Sequence, residues 1–319
     1  MGVYGVSGPN TLQRVDLDMA LIGTRELAQR EGLVGVDLCP IVTVGGKSGK
    51  FPVVDEKEIN QRLISDERLP TGRFNELSLT WRTGSYDTSF YGLGSRLDRQ
   101  EVAIYEDYLE QDILTAEAIM VNMLKNYEKR VLTMAAAAVA ATYNPTTSWL
   151  DPASTPVKDM ITWKLELRSK RRVFRDSDLR LLLDYEVVQM LKLNSDIKDR
   201  LSVTMDKLPD QLDESLIARA LGVGKILVGN SWENQSSQGT PEDEVTYALQ
   251  WSKNTAFLCI ASARKDNAHR WANTLKWRKG ITGWQQSYDW DTDADKLRYR
   301  DAYGLFVVDA GSALKCDIS

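Results

Sequence analysis

Residues Leu97 to Tyr143 read LDRQEVAIYEDYLEQDILTAEAIMVNMLKNYEKRVLTMAAAAVAATY, a stretch with neither glycine nor proline. Its apolar positions Val102, Tyr105, Leu109, Ile113, Ala116, Met120, Met123, Tyr127, Val131, Met134 and Ala138 step by three or four residues. That step is the period of a helix burying a single stripe. The spacing predicts one uninterrupted amphipathic helix. At 1.5 Å rise per residue it spans on the order of 60 Å, about twice the diameter of a small domain, so it acts as a spine across a broad, flat molecule. Asn144-Pro145 closes it, because a proline biases the preceding residue away from helix.

The composition fits a chain that builds its own core. With 319 residues, 43% apolar and 27% charged, it is ordinarily globular and long enough for about two domains. The most apolar run, Val131 to Tyr143, is alanine-rich and shorter than the roughly 18 residues a membrane span needs. The N-terminus lacks the charged-then-apolar layout of a signal peptide, and Val6 stands where a myristoylation signal has Ser or Thr. A cytoplasmic origin is expected. Cys39, Cys259 and Cys316 are odd in number and widely spaced, which suits separate reduced thiols better than a disulfide framework or a zinc site. The net charge of -5 argues against tight, sequence-specific nucleic-acid binding but allows loose contact with nucleic acid held inside a compartment.

Working outward from the spine, residues 1–48 read as an extended arm in which glycines recur, with a short helical patch at Met19 to Arg30 and a strand at Leu33 to Leu38. Residues 49–96 read as a hairpin. Its rising strand lies near Lys50 to Asp55 and its returning strand includes Leu77 to Thr83, where apolar and polar residues alternate. The polar, turn-rich tip from Asp66 to Arg73 offers little to pack, so the hairpin projects. Residues 97–147 hold the spine. Residues 148–275 alternate helix and strand signals: a helix opened by Thr155-Pro156, a strand at Leu179 to Leu183, helices at Glu186 to Leu193 and Asp213 to Leu221 stopping at Gly222, and strands at Lys225 to Gly229, Val245 to Trp251 and Ala256 to Ile260. Residues 276–319 supply strands at Trp284 to Trp290 and Leu297 to Val308 that return to the spine, which makes one domain discontinuous in sequence.

That order of elements resembles the tailed-phage major capsid proteins, the Hong Kong 97 phage coat fold. Local strings resemble the family too: Pro40-Ile41-Val42-Thr43-Val44 with Lys47 to Val53 at the entry to the hairpin, and Tyr86 to Gly94 at its exit. Trp149 to Pro156 resembles the entry to the axial domain, and Ile217 to Val228, Trp251 to Ala256 and Arg298 to Asp301 keep the family's order to the end. The chain departs from the pattern between Ser262 and Asp295, which is longer, Trp-rich and charged. The resemblance implies an α+β fold with an N-terminal arm, a projecting β-hairpin (the E-loop), a long spine helix in a peripheral domain and a mixed α+β axial domain.

Searching the residues for chemistry gives mostly negative results. Gly45-Gly46-Lys47-Ser48 ends like a phosphate-binding loop but has Ile41 where that loop needs its first glycine, and Gly222-Val223-Gly224-Lys225 has Arg219 upstream and no hydroxyl after the lysine. Both read as turns. His269, the one histidine, has no nucleophile marked beside it. Asp289, Asp291, Asp293 and Asp295 are the strongest candidate for a structural cation, yet Ala294 and Arg300 stand where a calcium loop has Gly and Glu, and a solvated loop is the bland alternative. Arg264, Lys265, Arg270, Lys276, Arg278 and Lys279 cluster with Trp271 and Trp277. Such a cluster serves as a nucleic-acid platform or, the favoured reading, as a subunit contact facing the neighbouring acidic run. No catalytic, cofactor-binding or metal residue is assigned.

The resemblance implies a non-enzymatic shell subunit, forming pentamers and hexamers of itself through heterologous contacts that close into an icosahedral head around double-stranded DNA. It further implies a portal protein, a separate scaffolding protein, decoration proteins and a virion location. Some relatives are cross-linked through a hairpin lysine and an asparagine; Lys47, Lys50 and Lys57 offer amines, but no asparagine follows Asn273. The alternatives are an encapsulin-like nanocompartment shell and, more remotely, an α+β enzyme.

Overall fold

The computed structural model describes residues 11–13, 32–53, 76, 80, 82–105, 110–139, 142–170, 174–204, 212–237, 239–261, 270–280 and 282–318. The first half contains β1 (Thr11–Gln13), α1 (Gly35–Leu38), β2 (Ile41–Val44), β3 (Ser48–Val53), β4 (Arg82–Asp87), β5 (Ser89–Asp98), α2 (Arg99–Tyr105), α3 (Gln111–Ala138) and β6 (Thr142–Tyr143). Next come α4 (Pro156–Ser169), β7 (Leu179–Asp184), α5 (Tyr185–Leu193), α6 (Ser195–Thr204), α7 (Glu214–Leu221), β8 (Lys225–Gly229), β9 (Trp232–Asn234), β10 (Tyr247–Leu249) and β11 (Thr255–Ile260). The chain closes with β12 (Ala272–Trp277), β13 (Gly283–Asp289), β14 (Ala294–Val307) and β15 (Ala313–Asp317).

The spine is α3, 28 residues and about 42 Å long at 1.5 Å per residue. It is therefore shorter than the Leu97 to Tyr143 expectation: sheet pairing claims the last residues and the first two, and Arg99–Tyr105 form a helix of their own. Leu97 and Asp98 belong to β5, paired with Asp295 and Ala294 of β14, and the Asp98 carboxylate accepts the Gln100 amide at 2.8 Å to start the separate helix α2. Glu110 (φ -76°, ψ 79°) begins α3, and after Val139 turns extended (φ -107°, ψ 97°) Thr142 and Tyr143 pair with Lys315 and Cys316 of β15. Within those limits Ala116, Met120, Met123, Tyr127 and Val131 of the expected stripe are buried, while Ile113, Met134 and Ala138 are half-buried and Ala135, which the stripe did not include, is buried in the last turns.

Two sheets share this helix. In the first, the fourteen-residue β14 pairs with β5 on one side and with β13 and β12 on the other, β1 extends β13, and β2 joins β12 in parallel. Its Trp284, Leu297 and Tyr299 pack on Ala116, Ile119, Met120 and Met123, so the C-terminal strands do return to the spine. The second sheet has the order β6-β15-β11-β7-β8. Alternate residues of its strands face opposite ways. Leu179, Leu181, Leu183, Leu258 and Ile260 pack under α4 to α7, whereas Leu182, Phe257 and Cys259 meet Val131, Ala135 and Val139 of the spine. Burial on both faces explains why LRLLL and AFLCI read as nearly continuous apolar runs.

Helix punctuation behaves as the residues dictate. Pro156 sits in the first turn of α4, and α7 stops where Gly222 takes a left-handed conformation (φ 66°, ψ 40°) that a side chain would resist. Other expectations shift. Leu33 to Leu38, expected as a strand, ends in the single helical turn α1 because the Glu128 carboxylate holds the Val34 and Gly35 amides. The returning hairpin strand is β4, in register with β3 from Ser48↔Asp87 to Val53↔Arg82; Leu77 to Leu79, the tip Asp66 to Arg73 and the patch Met19 to Arg30 lie outside the described residues. Only Tyr247 to Leu249 of the strand expected at Val245 to Trp251 pairs, with β9. Among the described residues, no helix is long and apolar enough to cross a membrane.

Candidate assembly surfaces

The hairpin β3–β4 leaves the body at a tightly built root. Thr88, 1% exposed, donates through both its amide (2.9 Å) and its hydroxyl (2.8 Å) to the Lys47 carbonyl, closing the two strands where they meet the first sheet. Two glycines allow β4 to cross the end of β14: a Cβ on Gly304 would collide with the Asp87 carbonyl, and one on Gly84 with the Phe306 ring. Trp277 braces the other side. Its indole donates to the Gly45 carbonyl at 3.3 Å and meets Phe90 edge-on at 5.8 Å, while Lys47 lies 5.3 Å over the Phe90 ring. Gly45-Gly46-Lys47 is the turn between β2 and β3, not a phosphate loop.

A second device ties the arm to the spine. Glu128, 1% exposed on the buried stripe of α3, accepts the Val34 amide at 3.1 Å and the Gly35 amide at 2.6 Å, and the Trp251 indole N–H also bonds to it. One carboxylate thereby joins arm, spine and the segment preceding β11. Burial raises the Glu128 pKa, with the Trp251, Val34 and Gly35 donors pulling the other way. Gly35 lets the arm lie close to the spine, since a Cβ would stand 2.6 Å from the Glu128 Oε2 and 3.1 Å from the Tyr127 ring. Nearby Trp271 is fully buried and donates to the Leu38 carbonyl at 2.8 Å.

The charged candidates are dispersed by these packings. Asp289 pairs with Lys296 and accepts the Thr292 hydroxyl at 3.0 Å, Asp295 pairs with Arg99 at 3.2 Å, and Asp293 accepts the Tyr288 hydroxyl. The Lys296 and Thr292 bonds hold the Asp289 carboxyl below the usual carboxylate range. The four aspartates lie around the turn joining β13 to β14, and among the described residues no group of three or more His, Cys, Asp or Glu is placed to hold a metal ion. The described members of the basic-aromatic cluster do not all lie on one surface either. Arg270 (4% exposed) and Trp271 (0%) are core, Lys276 pairs with Asp301 at 3.1 Å, and only Arg278 and Lys279 are exposed; Arg264, Lys265 and His269 lie outside the described residues. A buried indole cannot stack bases or anchor a partner. Cys39, Cys259 and Cys316 are all free and buried, and burial raises each thiol's pKa.

Apolar side chains do reach solvent elsewhere. Trp232 and Tyr247 lie on one face of the two-stranded ribbon β9–β10, 48% and 61% exposed, and Ile161 and Leu165, one turn apart, face outward from α4. Exposed aromatics in numbers beyond scattered single residues mark contact sites.

Comparison with solved structures decides the fold. A phage-related protein from Bordetella bronchiseptica RB50 superposes with a TM-score of 0.67 at 14% identity, covering 96% of this chain and 97% of that one. The capsid protein of cyanophage P-SCSP1u gives 0.53 at 11% identity over 99% and 91% of the two chains. This chain has the phage capsid fold. An encapsulin from Synechococcus elongatus PCC 7942, SrpI, shares that fold, with a TM-score of 0.51 at 10% identity over 89% and 86%. No protein-family model matches the chain, and no curated protein does.

Proposed function

We propose that the chain is the major capsid protein of a tailed bacteriophage, a non-enzymatic subunit that assembles as hexamers and pentamers into an icosahedral head around double-stranded DNA. The observation that carries this is the phage capsid fold, matched over 96% of the chain, with a hairpin whose root is built to project. Heterologous contacts, each joining different patches on two copies, close such subunits into rings and shells. The exposed ribbon face of Trp232 and Tyr247 and the α4 face of Ile161 and Leu165 are suited to those contacts. The reading includes a portal, a separate scaffolding protein, decoration proteins and a virion location. It also divides the chain into arm (1–48), hairpin (49–96), peripheral domain (97–147 with 276–319) and axial domain (148–275).

An encapsulin-like shell is the second reading, favoured by the SrpI likeness. Electron microscopy of the purified protein, followed by analysis of nuclease-protected contents, separates the two. Closed shells that package DNA when produced with their portal support the phage head; shells holding a co-purifying enzyme support the compartment. Protein that forms no particle under any assembly condition overturns both.

A further inference from the structure

The first sheet turns a cationic face away from the spine. Leu297 and Tyr299 of β14 point into the α3 packing, so Lys296, Arg298 and Arg300 between and beside them point outward. On β5 their partners in register are Arg96, Gly94 and Gly92. Because two of the three are glycines, the arginine stems lie down across β5: a Cβ on Gly94 would meet the Arg298 Cγ at 2.8 Å, and one on Gly92 would meet that of Arg300 at 3.5 Å. The result is an open groove of about 410 Å³. Lys296 is neutralised by Asp289, whereas Arg96, Arg298 and Arg300 have no carboxylate partner among the described residues. Three guanidinium groups with no carboxylate partner among the described residues are gathered here on a chain whose net charge is -5.

The surroundings narrow the partner. Phe90, in register with Ala302 on this same face, is 58% exposed, and arginine beside an exposed aromatic is the composition of a protein contact. Among the described residues β5 pairs only with β14, so the other edge of this ten-residue strand presents alternate backbone N–H and C=O groups to an added strand. A duplex, by contrast, needs a broad positive field, which a net acidic chain with a local groove does not supply. Resting on the capsid reading, we propose that the β5–β14 groove receives a carboxylate-bearing extended segment of a second copy of this chain. The arginine forks bind its carboxylates, and the β5 edge bonds its backbone.

Three measurements test this. Amide hydrogen exchange at Gly92 to Arg96 is compared between dissociated subunits and assembled particles, with slower exchange expected in particles; equal exchange overturns the proposal. The double variant Arg298→Glu/Arg300→Glu is compared with Arg298→Lys/Arg300→Lys. Both sites are exposed, so melting temperatures should match wild type, while the glutamate pair should lower particle yield by about tenfold or more, the effect of a like-charge cost above about 1.4 kcal/mol per contact. Normal particles from the glutamate pair overturn this inference and leave the capsid reading standing, whereas wild type that never assembles overturns both. Duplex DNA binding by dissociated wild type, measured by fluorescence anisotropy and abolished by the glutamate pair with assembly unchanged, assigns the groove to nucleic acid instead.

Discussion

The Glu128 Oε2 accepts the Gly35 amide at 2.6 Å, so the helical turn α1 begins on a carboxylate buried in the spine. Replacing Glu128 by Ala strands three donors, the Val34 and Gly35 amides and the Trp251 indole, and an orphaned buried donor costs about 1–3 kcal/mol. We expect Glu128→Ala to lower stability by about 3 kcal/mol or more after partial rehydration of the cavity. Gly35→Ala ordinarily gains about 1 kcal/mol within a helix, but here overpacking against Glu128 and Tyr127 costs about 1–3 kcal/mol, so the net sign is destabilising. Denaturant unfolding of both variants checks this, and an unchanged midpoint for either contradicts it.

The same carboxyl gives a pH dependence of fixed sign. Burial raises the folded-state pKa of Glu128 above its unfolded value, so the native chain holds that proton more tightly. Its contribution to stability is full below the ordinary glutamate value, about 4.3, and fades as pH rises through the folded value. Glu128→Gln cannot titrate. The melting temperature of wild type minus that of Glu128→Gln should therefore fall with rising pH, and a difference that rises is the contrary result.

The stripe of α3 is legible because its period is local: each turn repeats the buried position whatever the rest of the chain does. Its ends are not, since Leu97 and Tyr143 are claimed by β14 and β15, strands far along the chain. Trp271 reads as an interface anchor by type, and only its bond to the Leu38 carbonyl shows it to be core. Glu128 left a faint signal, a charge on the apolar stripe between Tyr127 and Val131. Thr88 and Gly304 left none, because their roles come from the crossing of β4 over β14. The Arg298–Arg300 alternation was visible in the string, but its glycine partners on β5 required the register.

That crossing gives a second stability test. A Cβ on Gly304 would collide with the backbone carbonyl of Asp87, which cannot rotate aside as a side chain can. Gly304→Ala should cost about 1–3 kcal/mol and loosen the hairpin root, so particle formation should fall while the subunit still unfolds cooperatively. Unchanged stability means that β4 does not cross there.

Shells should be held without covalent links. Asn273, the last asparagine of the chain, is fully buried and accepts the Arg270 guanidinium at 2.9 Å, so no hairpin lysine of a neighbour can reach it. Denaturing electrophoresis of mature particles should give one band near 36 kDa. A ladder of multimers contradicts this.

The hairpin tip separates folding from assembly. Asp66 to Arg73 are polar and turn-rich, a composition that offers little to a core, and among the described residues the buried clusters are built on the spine, the two sheets and the helices packed against them. Replacing the eight residues by a short Gly/Ser link should leave stability within about 0.5 kcal/mol, the usual range for surface changes. If the tip clasps a neighbour, every copy forfeits the same contact, and a closed shell multiplies that deficit over all its repeated interfaces. The trimmed protein should remain soluble and cooperatively folded while sedimenting as monomers or isolated capsomers. Normal shells would make the tip dispensable, and an unfolded subunit would place those residues in the core.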